Sequence, residues 1–200
     1  MDFFQHFLSD LLIFANENFL LSVFITSLII FTYSVSSIPG IGFLIALSGY
    51  LYGSFIGYII SIISVTLGSF IFFLFSSFFL NYLFPKYYKK ISNKIHNYIS
   101  NSTFEYLIIF RMIPGPPLML QNTILSLLNI SSYKFIFSTI IGFTPITLVT
   151  VFIGNKLNDI KSLENLSLKG ILTWDFLILL LFIILLLIAR IKFKKTLIKK

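Results

Sequence analysis

Apolar positions in this chain come in long unbroken blocks, neither in the two-residue alternation of a half-buried strand nor in the narrow stripe of a soluble amphipathic helix. No charged residue stands anywhere from Asn18 to Pro85, whereas one membrane-spanning helix needs only about 20 apolar residues. That stretch must cross a bilayer more than once. The pattern predicts an amphipathic helix over Asp2–Phe14, within an interfacial segment 1–18 that ends on Asn16-Glu17-Asn18. A first span follows over Phe19–Val35. A broken segment near 36–55 comes next, with Pro39 and the glycines Gly40, Gly42, Gly49, Gly53 and Gly57 in and just beyond it. A long helix then covers Ser54–Leu83 and stops at Pro85. Lys86, Lys89, Lys90 and Lys94 mark a surface loop. A second apolar segment, Phe104–Leu128, is interrupted by Pro114-Gly115-Pro116-Pro117, and two more spans are expected at Tyr133–Ile153 and Trp174–Ile188, ahead of a basic tail.

The tripeptide Ile-Pro-Gly occurs twice, at Ile38-Pro39-Gly40 and Ile113-Pro114-Gly115. Proline inside a helix removes a hydrogen bond, and in lipid the freed carbonyl is tolerated only where protein or water satisfies it. Two such breaks in corresponding positions point to an inverted-repeat transporter with a site near the midplane. Aligning the two copies also aligns Tyr58 with Tyr133 and nearly aligns Gly68 with Gly142. Gly49, Gly53, Gly57 and Ser61, spaced four apart, are expected to form one ridge for close helix packing.

Charge placement tests the hairpins. Lys86–Lys94 and the C-terminal tail both belong on the cytoplasmic side, so an even number of crossings must separate them. Three apolar segments lie between, and parity is restored if Phe104–Leu128 enters and returns on one side. The expected fold is therefore an all-α polytopic membrane protein, an inverted repeat with two re-entrant helical hairpins, near 36–55 and 104–128, and about four transmembrane helices. Residues 19–157 form its membrane domain. Residues 158–200 supply an external loop, the last transmembrane helix and a basic cytoplasmic tail.

Composition agrees. Charged residues make up 11% of the chain and hydrophobic residues 57%, against about 25% charged in a soluble domain. There is no cysteine, which excludes disulfides and thiolate metal sites. The N-terminus lacks the basic region of a cleaved signal peptide and is expected to be retained. The formal charge of +8 sits beside membrane segments, which favours anionic lipid headgroups as partners over nucleic acid. No metal or cofactor is expected, and a homo-oligomer is compatible with the pattern.

The run Ile38-Pro-Gly…Leu47-Ser-Gly-Tyr-Leu-Tyr-Gly53…Gly57…Gly68, then Phe110-Arg-Met-Ile-Pro114…Pro117…Asn122…Phe135…Gly142…Pro145…Gly154, resembles the VTT domain of the DedA superfamily, also called SNARE-associated Golgi proteins. The resemblance covers about residues 20–157. It implies two re-entrant hairpins of opposite orientation and a superfamily linked to lipid scrambling and to recycling of polyprenyl-phosphate carriers. The expected location is integral to the membrane, in a bacterial inner membrane, with the C-terminus cytoplasmic. Bacterial members carry acidic residues by the hairpins, whereas this chain has Ser36-Ser37 and Gly68-Ser69 there. It looks closer to the Golgi-type branch, without a carboxylate for proton coupling.

Arg111 is the only charged residue between Glu105 and Lys134. Eight residues beyond Thr103, at about 1.5 Å per residue, it lies about 12 Å into a hydrocarbon core about 30 Å thick. Arginine there costs roughly 3 kcal/mol and is functional by default, and its planar fork suits a phosphate. The alternative is that it snorkels or binds carbonyls freed by the Pro114–Pro117 break. Glu105, six residues away, is a poor intrahelical partner. Asn122 offers a donor and an acceptor to a headgroup or to the protein. Pro39, Gly40, Gly49, Gly53, Pro114, Gly115, Pro117, Gly142 and Pro145 are assigned to shaping the hairpins. The leading function is movement or scrambling of phospholipids. A polyprenyl-phosphate carrier is the runner-up, and a non-transporting scaffold or assembly factor is the reading from another class. An enzyme is not expected, because no nucleophile or base cluster lies near Arg111.

Overall fold

A computed structural model of the chain describes residues 2–83, 85, 104–113, 116–128 and 130–159. These residues form helices α1 (Asp2–Glu17), α2 (Phe19–Ser36), α3 (Ile41–Leu83), α4 (Phe104–Met112), α5 (Leu118–Leu127) and α6 (Ser132–Asp159). No strand occurs among them. The chain divides by its contacts into Met1–Asn155 and Lys156–Lys200; of the second unit only the end of α6 is described. The lysine loop 86–94, the span expected at 174–188 and the basic tail lie outside the described residues, as do Pro114 and Gly115.

Three helices, Phe19–Ser36, Ile41–Leu83 and Ser132–Leu157, are long and apolar enough to cross a membrane. Their outer faces carry Leu20, Phe24, Phe55, Phe75 and Phe78, all exposed. Such a surface is compatible with lipid and not with water.

Both breaks of the first half have a backbone cause. Helix α2 ends on Ser37 in the left-handed region, at φ 51°, and Gly40 follows at φ 106°, a value that disfavours any side chain. The Tyr33 hydroxyl donates to the Pro39 carbonyl at 2.8 Å and so ties the turn back to α2. Inside α3, Gly53 has φ 77° and ψ 175°, which is not helical. The helix folds back there. Ser48 Oγ lies 2.7 Å from Ser61 Oγ, although 13 helical residues would separate them by about 20 Å.

This reversal corrects the expected glycine ridge. Gly49, Gly53, Gly57 and Ser61 do not share one face, because the helix breaks at the second of them. Gly49 packs instead on the Val151 backbone of α6, and Gly57 on Ser48 in the opposing arm. Gly154 completes the α3–α6 contact against the Ala46 backbone.

The core has two parts. Ala15, Ile30, Ile45, Tyr52, Ile60, Val65 and Val151 pack in the first. The second is largely aromatic, with Phe73, Leu107, Leu125, Leu128 and Phe135, flanked by Phe70 and Phe110. Each fully buried side chain of this size contributes about 1.5–3 kcal/mol when taken from water. Within lipid the gain comes from close packing.

Candidate functional site

The two halves repeat one local contact. Gly68 of α3 lies against Ser34 and the Phe31 carbonyl of α2, and Gly142 of α6 lies against Arg111 and the Ile108 carbonyl of α4. In each case a long helix uses a glycine to approach the helix that precedes a break. The contacted residue and the contacted carbonyl are three apart in both. Ser34 and Arg111 therefore hold matching places.

Their chemistry differs. The Ser34 hydroxyl donates to the Ile30 carbonyl at 2.8 Å. Arg111 is only 1% exposed, yet its Nε, Nη1 and Nη2 have no hydrogen-bond partner, and no ion pair reaches it among the described residues. Its guanidinium carbon sits 4.7 Å from the Phe135 ring centre and 5.1 Å from that of Phe143. Cation–π contacts of this kind recover about 0.5–2 kcal/mol, well short of the several kcal/mol needed to desolvate an ion. Snorkelling is thereby overturned, because the group is enclosed by protein. Among the described residues no carbonyl accepts from it either.

Other buried polar atoms are equally unmatched. Many hydroxyls among the described residues bond back to their own helix, as in Ser27 to Val23, Ser138 to Phe135 and Thr139 to Phe135. Thr66 and Ser69, although buried, do not. They share a face of α3 with Phe70 and Phe73 through spacings of three and four, and the Phe73 ring packs on Phe135 in a tilted pair, centres 4.3 Å apart. The unpaired hydroxyls thus belong to the face that meets the aromatic partner of Arg111.

Helix α5 adds two amides. Leu107 of α4 and Leu125 of α5 join one cluster; Arg111 stands four residues after the first, and Gln121 and Asn122 stand four and three residues before the second. The Asn122 side-chain nitrogen donates to Ser37 Oγ at 3.4 Å, a long bond that brings α5 beside the Pro39–Gly40 turn. The Gln121 nitrogen donates to the Pro116 carbonyl at 3.2 Å. Both amide oxygens are buried without a partner. Each buried unpaired polar atom costs about 1–3 kcal/mol, and an accumulation of five such residues in one protein is uncommon for structural reasons alone.

Of the hairpin-shaping residues, Pro39, Gly40 and Gly53 stand at the turns, and Pro117 precedes α5. Gly49 and Gly142 make close helix contacts, while Pro145 lies inside α6. Gln121, Thr66 and Ser69 were not identified from sequence. Gln121 carried a signal, as the neighbour of Asn122 in an apolar segment. The two hydroxyls carried none, being ordinary residues for a membrane helix. An open groove lined by Leu28, Ile29, Thr32, Tyr33 and Ser36 contains no charge and shares no residue with this cluster.

The helices and the buried ion define an integral membrane protein with an unneutralised cation in its interior. The VTT domain family matches residues 38–156, and the chain belongs to that family. It is also 30% identical over 180 residues to the Transmembrane protein 41 homolog of Dictyostelium discoideum, covering 86% of this chain and 53% of that protein. The chain thus spans about half the length of the curated relative it matches. No solved structure matches it.

Proposed function

We propose that this protein moves phospholipids across its membrane, with Arg111 receiving the lipid phosphate. The observation that carries the reading is the buried guanidinium with three unpaired nitrogens. A permanent charge of this kind is retained where an anion completes it. The phosphate would reach it beside the break that follows α4, where prolines and glycine leave fewer helical hydrogen bonds to disrupt. The two back-folded regions act as re-entrant hairpins of an inverted repeat, a reading supported by the matched contacts of Gly68 and Gly142 and by the Asn122–Ser37 link between the halves. Lys90 and Lys200 then face the cytoplasm and Lys161 the opposite side. Single cysteines at these positions, labelled from one side of intact cells, check this; Lys161 and Lys200 on the same side would remove the second hairpin.

The direct test is reconstitution of the purified protein into liposomes with a headgroup-accessibility assay. Wild type is expected to scramble lipid, Arg111→Ala to lose the activity, and Arg111→Lys to keep part of it, because a point charge replaces a planar fork. Inactive wild-type protein would favour a scaffold role. A chemically altered lipid would favour an enzyme.

A further inference from the structure

We infer that Arg111 binds a dissociable chloride ion, which neutralises the guanidinium while the site is closed to larger anions. The inference goes beyond the headgroup reading above and does not depend on it. A guanidinium is permanently charged and carries N–H donors with no acceptor of its own. Here the whole residue is buried and none of its three nitrogens has a partner. Phe135 and Phe143 cannot supply the missing negative charge, because a ring offers only its quadrupole. Nor do nearby carboxylates: Glu105, on the same helix, is exposed, as are Asp10 and Glu17 of α1. A buried ion left in this condition calls for an unassigned counter-ion.

Enclosure and hydration select which anion. The Phe135 and Phe143 rings both crowd the guanidinium carbon, and Gly142 sets α6 against the base of the same side chain. With Arg111 so covered, a phosphodiester carrying two organic substituents has no open approach in this arrangement, whereas a monatomic ion needs far less room. The lining is also wrong for an oxyanion. A phosphate has several strongly hydrated oxygens, and beside one guanidinium and apolar rings most of them would lose water without gaining a donor. A halide is spherical and weakly hydrated, so it accepts from the guanidinium alone and tolerates the positive edges of aromatic rings around it. Where the headgroup reading also holds, arrival of the lipid phosphate displaces the chloride.

Thermal melting of the full chain in maltoside detergent, with chloride replacing gluconate at constant ionic strength so that screening is unchanged, tests this. Raising chloride from about 1 to about 100 mM should raise the melting temperature by about 3–5 °C, the effect of a ligand with a Kd of about 10 mM. Bromide should act as chloride does. Arg111→Leu, with no charge to neutralise, should melt alike in both salts, and Arg111→Lys should keep a smaller response. Should neither variant fold, wild type should still broaden the chloride NMR signal, with bromide reversing the effect; an unbroadened signal would overturn the assignment. Equal melting of wild type in chloride and gluconate would overturn it, as would a chloride response that survives in Arg111→Leu. Inorganic phosphate that stabilises at lower concentration than chloride would make the occupant an oxyanion, overturning the halide and leaving the phosphate reading standing. A chloride response lost in Arg111→Leu, found in a protein that scrambles no lipid, would uphold the halide site and remove the headgroup reading.

Discussion

Around Gly68 and around Gly142 the same construction is used for opposite ends. Both glycines let a long helix close on the helix before a break, and both bury the residue they meet. At the first, Ser34 is satisfied within its own turn, and the contact is purely a fastening. At the second, Arg111 occupies the matching place with its hydrogen-bonding capacity unused. Since the local contact is shared, packing does not require an arginine; a serine does the same work at the other glycine. What the arginine adds is a desolvated charge, which stability alone disfavours.

The glycines themselves give the largest expected effect. A methyl at Gly68 would stand 2.5 Å from Ser34 Cβ and 2.6 Å from the Phe31 carbonyl oxygen, and one at Gly142 would overlap Arg111 Cβ and stand 3.0 Å from the Ile108 carbonyl oxygen; a Cβ moves only with its backbone. Gly68→Ala and Gly142→Ala should therefore each cost about 3 kcal/mol through forced helix separation. Melting in detergent measures both losses. A loss at Gly142 well below that at Gly68 would show that the two contacts are not built alike.

Ser34→Ala should change stability by less than about 0.5 kcal/mol and leave transport unchanged, because the lost hydroxyl bond is local and the helix carbonyl keeps its backbone partner. If it impairs transport as Arg111 variants do, the first contact is part of the site and the contrast fails.

Much of this arrangement was legible in the sequence, for identifiable reasons. The Pro39–Gly40 turn and the Gly53 reversal announce themselves because proline and glycine are conspicuous in an apolar run, and Arg111 because it stands alone among uncharged neighbours. The ridge of small residues was misread, since spacing assumes a continuous helix and Gly53 ends it. Thr66 and Ser69 were invisible because a hydroxyl reveals its role only by whether it bonds its own helix, which composition does not record. Gln121 and Asn122 were half legible: two amides in an apolar segment are conspicuous, but which atom of each stays free depends on Ser37 and Pro116.

The claim that Arg111 is kept for a ligand and not for the fold is tested most directly by measuring melting temperature and lipid scrambling on one preparation of Arg111→Leu. Removal of an unpaired buried charge should leave the protein as stable as wild type or more so, while transport falls to the protein-free background. An Arg111→Leu protein that scrambles normally, or one that melts well below wild type, would contradict the account.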